Sequence, residues 1–160
     1  VLSGGSDFIP IEEEKRHIES YLKIQKFRYK DQFEYEFQVD ESCLGYYCNK
    51  ITLQPIIENA IYHGLKYKES KGLLQVKGFM KDGNAVLQVI DNGVGMDEET
   101  LSHIYDKHKV NYHSNGVGVY NVQKRLKLYY GENYGITYES EKGVGTTATI
   151  IIPGIQEESI

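Results

Sequence analysis

The segment from Leu53 to Gly64 constrains the fold more than any other part of the chain, because it predicts an apolar helix with a single polar stripe. Asn59 and His63 form that stripe. Residues four apart lie on the same face of a helix, so the amide and the imidazole should face one space. Asparagine has poor propensity for a mid-helix position, which favours a functional role for Asn59 over an ordinary capping or interface role.

Three glycine-rich turns follow this helix along the chain. The first turn, Asp91 to Gly95, ends an apolar strand. A carboxylate leaving a sheet edge can accept a hydrogen bond from the exocyclic amine of adenine, although an ordinary turn with Asp at its first position is the alternative. In the third turn, Thr146 would place a hydroxyl beside Asp91 if their strands are neighbours, and a plain turn between strands is the alternative.

The second turn contains Gly116 and Gly118 and precedes a helix. The free backbone N–H groups at a helix N-terminus suit a phosphate group. A Rossmann turn would need a third glycine and a preceding strand. Here the third position is Asn121 and a polar loop precedes the turn, so the Rossmann interpretation is excluded. Together, the polar helix and the three turns indicate a nucleotide pocket.

Composition and charge exclude several classes of protein. The chain has 160 residues and a formal net charge of -5, which favours one compact domain and argues against a nucleic-acid partner. No apolar run approaches the roughly 20 residues that a spanning helix needs. Cys43 and Cys48 fit no metal motif and indicate structural or surface thiols in a reducing compartment. His103, His108 and His113 are spaced too irregularly for a zinc site and are interpreted as solvated loop residues.

The remaining patterns predict the order of helices and strands. Helices are expected over residues 11–29, 53–64, 96–105 and 119–130, and strands over residues 33–39, 73–80, 85–90, 136–140 and 147–152. The pair Asp82-Gly83 is a strong hairpin signal, and residues 106–115 indicate a mobile loop. This mixture predicts an α+β fold, a two-layer α/β sandwich in which helices cover one face of a mixed, mostly antiparallel sheet.

Taken together, the four segments resemble the N, G1, G2 and G3 boxes of the ATP-binding catalytic domain of sensor histidine kinases. That domain belongs to the gyrase–chaperone–histidine kinase–MutL superfamily and has the Bergerat ATP-binding fold. The YesM/LytS-type branch is most similar: it shares Leu-Gln-Pro…Glu-Asn-Ala…His-Gly at 53–64, Asp-Asn-Gly-x-Gly-Met at 91–96 and Gly-x-Gly…Asn-Val…Arg-Leu at 116–126. The resemblance covers roughly residues 33–153, and four boxes in order are far more specific than one.

The resemblance implies that the ligand is ATP with Mg²⁺. Asn59 would hold Mg²⁺ against the phosphates, and Asp91 would bind adenine with support from Thr146. Residues 97–114 would form the ATP lid. The other nucleotide-binding residues that the resemblance implies are His63, Gly93, Gly95, Gly116 and Gly118. The activity would be that of a protein histidine kinase, in which transfer of the γ-phosphoryl group depends mainly on positioning and charge neutralisation.

Two departures from the family pattern bear on this activity. Tyr62 stands where many histidine kinases carry a lysine three residues after the metal-binding asparagine, so a cation near the phosphates would be lost unless Lys107 or Lys109 of the lid replaces it. The Pro-His-Phe-Leu box of the phosphoacceptor histidine is also absent, and His17 does not match it. We therefore expect a catalytic fragment that binds ATP but is inactive without phosphoacceptor helices.

The resemblance also implies an organisation and a set of partners. Residues 1–30 would form a connector helix from a dimerisation and phosphoacceptor region, residues 31–155 the ATP-binding domain, and residues 156–160 a tail. The expected partners are ATP or ADP, the phosphoacceptor helices of the same kinase and a cognate response regulator, without nucleic acid or direct membrane contact. The full-length protein would be a homodimeric membrane sensor with this domain in the cytoplasm, and the fragment would be monomeric.

Two other functions remain as alternatives. An ATPase clamp of the same superfamily would need a glutamate four residues before Asn59 to activate water, but Pro55 occupies that position. A degenerate domain that binds a partner protein instead of a nucleotide is the other alternative, motivated by Tyr62.

Overall fold

The structure is a computed structural model that describes residues 7–106 and 118–156. Its α-helices and strands alternate irregularly along the chain, as the sequence predicts. The helices are α1 (Ile11–Arg28), α2 (Glu41–Leu44), α3 (Leu53–His63), α4 (Glu98–Ser102) and α5 (Gly118–Tyr130). The strands are β1 (Phe8–Pro10), β2 (Phe33–Val39), β3 (Tyr47–Asn49), β4 (Gly72–Lys81), β5 (Asn84–Asp91), β6 (Gly135–Glu141) and β7 (Gly145–Pro153). A short 3₁₀ helix, Leu65–Tyr67, follows α3.

The main sheet has five strands in the order β2-β4-β5-β7-β6. The β2 and β4 strands are parallel, and the other neighbouring pairs are antiparallel. The expected hairpin joins β4 to β5, where Asp82 and Gly83 have φ angles of 52° and 79°. Two consecutive positive φ angles match the turn that best fits the twist of a two-residue hairpin. The predicted mixed, mostly antiparallel sheet is therefore confirmed.

The helices pack on one face of this sheet and share a single core with it. Apolar side chains alternate along the strands, so one set faces the helices while polar residues such as Gln88 and Thr149 face the other side. The core cluster includes Ile18 and Leu22 of α1, Ile57 and Ile61 of α3, Leu126 of α5, and Leu74, Leu87 and Ile150 of the sheet. This arrangement confirms the predicted two-layer α/β sandwich.

Several short elements differ from the sequence-based expectation. The strands β1 and β3 form a separate two-stranded antiparallel sheet, and α2 lies between the predicted strand over 33–39 and the predicted helix over 53–64, where no element was expected. The predicted helix over 96–105 is shorter at both ends, and its start is fixed by Asp97, which caps the N-terminus by accepting a hydrogen bond from the Thr100 N–H. Most of the predicted mobile loop, from residue 107 onward, lies outside the described residues.

The start of α3 is stabilised by a residue that is distant in the sequence. Thr52 is the N-cap residue, but its hydroxyl donates to the Asn49 carbonyl at 2.7 Å and does not cap the helix. The buried carboxylate of Glu14 accepts hydrogen bonds from the N–H groups of Ile51, Thr52 and Leu53 at 3.2, 2.8 and 3.1 Å. A residue of α1 therefore satisfies the free donors at the start of α3.

The division of the chain into a connector (1–30), a catalytic domain (31–155) and a tail (156–160) stays a prediction. The contacts of α1 are with the same core as the rest of the described chain, since Ile18 and Leu22 are fully buried in it. None of the helices within residues 7–106 and 118–156 is long and apolar enough to cross a membrane.

Candidate nucleotide-binding site

A cleft lies between α3 and the sheet. The helix contributes Asn59 and His63 to the lining, and the sheet contributes Asp91 and Thr146. Four of the residues singled out in the sequence therefore lie around one space. The remaining lining residues are Ile56, Ala60, Gly64, Val89, Met96, Tyr138 and Ala148.

The apolar flanks of α3 explain how Asn59 and His63 are presented. Ile57 and Ile61 are fully buried in the core, which fixes the rotation of the helix about its axis. Asn59 is half-buried and His63 is exposed, and both face the cleft with Ile56 and Ala60. The polar stripe that the sequence predicts is thus turned towards an open space, although the helix as a whole is packed.

Asp91 is the last residue of β5, and its side chain is only 4% exposed. Its Oδ1 accepts a hydrogen bond from the Gly93 N–H at 2.9 Å. Burial raises the pKa of this carboxyl to about 6, while backbone hydrogen bonds from Gly93 and Thr146 oppose the rise. A carboxylate that is held at the end of a cleft with free acceptor capacity suits recognition of an amine or amide donor.

Thr146 lies directly opposite Asp91 in the β5–β7 register, as expected if their strands are neighbours. Its hydroxyl is 2.7 Å from the Ser140 hydroxyl. Ser140 also accepts a hydrogen bond from the Met96 N–H at 2.8 Å, so it connects β6 to the turn that follows Asp91. Ser140 was not predicted from the sequence, although the alternation of side chains along β6 places it on the same face as Tyr138.

Gly93 and Gly95 are positioned by contacts within the protein. A Cβ atom on Gly93 would lie 2.6 Å from the Gly64 Cα, and one on Gly95, whose φ is 70°, would overlap the Glu141 carbonyl. These backbones approach each other closely, so the turn requires glycine irrespective of a ligand. Neither glycine is among the lining residues in the described part of the chain, and their roles towards a base stay predictions.

The remaining predicted residues are at or beyond the edge of the described chain. Gly118 is the first residue of α5, which is consistent with the expected position at a helix N-terminus. Gly116, Lys107 and Lys109 lie outside the described residues, and their predicted roles at the phosphates and in the lid remain predictions.

Tyr62 does not line the cleft among the described residues. It is 4% exposed, and its ring packs against Tyr29 at the end of α1 with the centroids 5.8 Å apart. The Lys66 ammonium lies 6.0 Å from the Tyr62 ring centroid. The departure from the family pattern at this position therefore contributes to the packing of α1 on α3.

The donor set of the cleft fits Mg²⁺ only as part of a nucleotide complex. Within the described residues, no three His, Cys, Asp or Glu side chains cluster as a metal site. Asn59 offers one amide oxygen, and Mg²⁺ is commonly bound by few protein oxygens together with water and substrate phosphates. The Tyr138 hydroxyl, buried in the same cleft, lacks a hydrogen-bond partner of good geometry.

An α/β sandwich with a carboxylate and an amide converging in one cleft is the architecture of a small-ligand-binding domain. Residues 48–156 match the family described as histidine kinase-, DNA gyrase B-, and HSP90-like ATPase, and the chain belongs to this family. The resemblance inferred from the four boxes is thereby confirmed.

Individual relatives agree with this assignment. The sensor protein LytS of Oceanobacillus iheyensis is 35% identical over 127 residues, which are 78% of this chain and 22% of LytS. The sensor histidine kinase YesM of Bacillus subtilis is 31% identical over 147 residues, which are 92% of this chain and 24% of YesM. The chain thus spans about a quarter of the length of these curated relatives.

Solved structures show the same fold. The nucleotide-free catalytic domain of the histidine kinase ThkA superposes with a TM-score of 0.71 and 14% identity, covering 92% of this chain and 97% of that domain. A structure of ThkA in complex with the response regulator TrrA matches 94% of this chain and 42% of that chain, with a TM-score of 0.66 and 16% identity. The predicted fold class is confirmed by these histidine kinase domains.

Proposed function

We propose that this chain binds Mg·ATP in the cleft between α3 and the sheet and acts as the catalytic domain of a protein histidine kinase. The observation that carries the proposal is the convergence of Asn59 and the buried Asp91 carboxylate on one cleft. Asp91 would accept a hydrogen bond from the adenine amine. Asn59 would face the phosphates and their cation.

The chemistry assigned to the chain consists of binding and orientation. Bound Mg²⁺ would neutralise charge on the phosphates, with Asn59 Oδ1 as its protein ligand. The Asp91 carboxylate would fix the base, and Thr146 and Ser140 would hold the turn that carries it. The acceptor histidine would come from phosphoacceptor helices of the same kinase, and a response regulator would receive the phosphoryl group, as the ThkA–TrrA complex suggests by analogy. We further place the domain on the cytoplasmic side of a membrane sensor.

The alternative of a degenerate, nucleotide-free domain rested on Tyr62. Because Tyr62 packs against Tyr29 and does not line the described cleft, it is not evidence for the loss of a nucleotide site. The clamp alternative would still require a base at the position of Pro55. We therefore expect that substitutions of the cleft residues weaken nucleotide binding. The isolated domain should turn over ATP only at background level.

Calorimetric titration of the domain with Mg·ADP tests the proposal. We expect binding in the micromolar to low-millimolar range. Asp91→Asn should weaken binding by about 10- to 100-fold, because a hydrogen bond to a charged group contributes about 1.5–3 kcal/mol. Asp82→Asn, at the distant hairpin turn, is the matched control and should bind like the wild type. Absence of heat at millimolar nucleotide would favour the partner-binding alternative.

A further inference from the structure

The hydroxyl of Tyr138 is a polar group of the cleft to which the proposed function assigns no role. Tyr138 lies on β6, paired with Ala148 of β7, and its side chain lines the same cleft as Asn59 and Asp91. The hydroxyl oxygen is buried and has no hydrogen-bond partner of good geometry. Buried tyrosine hydroxyls normally find a partner, so a ligand-dependent partner is a natural explanation.

The residues around Tyr138 limit which group can be the hydrogen-bond partner of its hydroxyl. Its ring packs edge-on against Tyr105 with the centroids 6.0 Å apart, but the Tyr105 hydroxyl already donates to the Ile136 carbonyl at 2.7 Å. The side-chain amide of Asn59 is close enough to interact with the Tyr138 hydroxyl and to oppose the rise in its pKa that burial causes. Since burial raises that pKa, the hydroxyl is neutral at physiological pH and can both donate and accept.

An asparagine amide has an acceptor on one side and two donors on the other. If Asn59 Oδ1 faces a cation, Nδ2 is directed away from the cation and needs an acceptor. A cation bound to the oxygen also polarises the amide, which strengthens the bond that the N–H group donates. The Tyr138 oxygen, lying beside Asn59 without a well-formed bond, is placed to be that acceptor.

We propose that Tyr138 is a positioning residue for Asn59: its hydroxyl oxygen accepts a hydrogen bond from Asn59 Nδ2 when Oδ1 binds the cation of the Mg·nucleotide complex. This inference rests on the proposed function, because it requires that the cleft bind Mg·nucleotide. Tyr138 acts on the cation through Asn59 and does not touch the reacting phosphate. The bond from Asn59 to this hydroxyl, poorly formed in the nucleotide-free protein, becomes well formed in the loaded one.

Tyr138→Phe separates this role from a purely structural one. Removing a buried hydroxyl that lacks a strong bond should leave the thermal midpoint of the nucleotide-free domain unchanged or slightly higher. The affinity for Mg·ADP should fall by about 3- to 10-fold, the range expected for one lost hydrogen bond. The affinity for ADP measured in EDTA should change by less than about 2-fold, because the cation that orients Asn59 is absent.

Tyr130→Phe is a matched control. The Tyr130 hydroxyl is also buried and without a partner, but it belongs to α5 and does not line the described cleft. Its removal should leave both affinities unchanged. An equal loss of affinity with and without Mg²⁺ in Tyr138→Phe would mean that the hydroxyl contacts the nucleotide itself and would overturn the positioning role.

The remaining outcomes are equally decisive. Unchanged Mg·ADP affinity in Tyr138→Phe would overturn the inference, as would a large drop in the thermal midpoint that accompanies the loss of affinity. Failure of the proposed function is distinguishable, because the wild type would then show no Mg·ADP binding at all. If the wild type binds Mg·ADP and Asp91→Asn does not, wild-type affinity in Tyr138→Phe would contradict the role of Tyr138 but leave the proposed function intact.

Discussion

The two faces of α3 differ in what their polar side chains contact. We call the face towards α1 the α1–α3 seam. Here the Glu14 carboxylate accepts hydrogen bonds from the N-terminus of α3. Three side-chain pairs also make contact across the seam: His17–Gln54, Tyr21–Glu58 and Tyr29–Tyr62. The face towards the cleft carries Asn59 and lies near the Tyr138 hydroxyl, which is buried without a hydrogen-bond partner of good geometry. Contacts within the protein stabilise the fold, whereas polar groups that line a cleft can contact a ligand.

This contrast predicts that substitutions on the two faces have separable effects. Changes in the α1–α3 seam should lower the free energy of unfolding with little effect on the intrinsic nucleotide affinity of the folded protein. Changes at the cleft face of α3 should lower the affinity with little effect on unfolding. A substitution that moved both quantities strongly would show that the two faces are coupled through the helix.

Glu14→Ala should have the largest effect on stability. Its carboxylate is 1% exposed and accepts three backbone hydrogen bonds, so its removal leaves the first donors of α3 without their partner. We expect a loss of about 3 kcal/mol in urea unfolding, because hydrogen bonds to charged groups are among the stronger ones. Glu14→Gln keeps an acceptor oxygen and should lose roughly 1 kcal/mol. Equal unfolding midpoints for Glu14→Ala and the wild type would contradict the capping role.

Tyr62→Lys tests whether this position belongs to the seam or to the phosphates. Burying an ammonium group where the Tyr62 ring packs against Tyr29 should cost about 2 kcal/mol of stability. The affinity for Mg·ADP should not improve, because the side chain faces α1. Tyr62→Phe, which keeps the ring, is the control and should lose less stability. A several-fold gain in affinity for Tyr62→Lys would instead place this side chain near the nucleotide.

The ambiguity at Tyr62 illustrates what could be predicted from sequence. Residues three apart on a helix differ by about 60° around its axis, so periodicity alone leaves Tyr62 between the face of Asn59 and the neighbouring face. Which face it joins depends on α1, and the packing of α1 against α3 is a tertiary contact between segments separated by about 40 residues. The Glu14 cap was missed for the same reason.

Local signals predicted the parts of the fold that local chemistry determines. The Asp82-Gly83 turn, the alternating strands and the apolar sides of α3 and α5 all appeared near their expected positions. The polar helix and the glycine-rich turns indicated a nucleotide pocket, but Asn59 and Asp91 are brought together by the packing of α3 on β5, which no local signal specifies. Tyr138 and Ser140 carried no local signal beyond their alternation along β6.

The pH dependence of nucleotide affinity tests the role of Asp91 in the cleft. The pKa of Asp91 in the nucleotide-free protein is about 6, above its ordinary value of 3.8. If adenine binds only the ionised Asp91 carboxylate, the affinity for Mg·ADP should fall by about 10-fold between pH 7.5 and pH 5. At pH 5 roughly nine in ten of these carboxyls are protonated. Titrations of Mg·ADP at several pH values measure this, and Asp91→Asn should remove the dependence.

Stability should respond to the same group with the opposite sign. Because the folded pKa is raised, the folded state binds the proton more tightly than the unfolded state between about pH 4 and pH 6. The contribution of Asp91 to stability is therefore present at low pH and is lost as the pH rises through the folded pKa. A comparison of urea unfolding for the wild type and Asp91→Asn over this range isolates the contribution. A lower relative stability of the wild type at pH 4 than at pH 7 would contradict the sign.

His17→Ala should have the smallest effect, since it tests the exposed rim of the α1–α3 seam. The ring nitrogen of His17 lies 3.3 Å from the Gln54 amide oxygen, and the pair is exposed to solvent. Exposed polar pairs contribute little because water replaces them, so we expect a change within about 0.5 kcal/mol in urea unfolding. A double-mutant cycle with Gln54→Ala should give a coupling energy near zero.

The His17→Ala variant also tests whether His17 accepts a phosphoryl group. After incubation with radiolabelled ATP, the wild-type domain and His17→Ala should both lack acid-labile label. A label present only in the wild type would make this helix an acceptor as well as a packing element, and the seam could then no longer be regarded as purely structural.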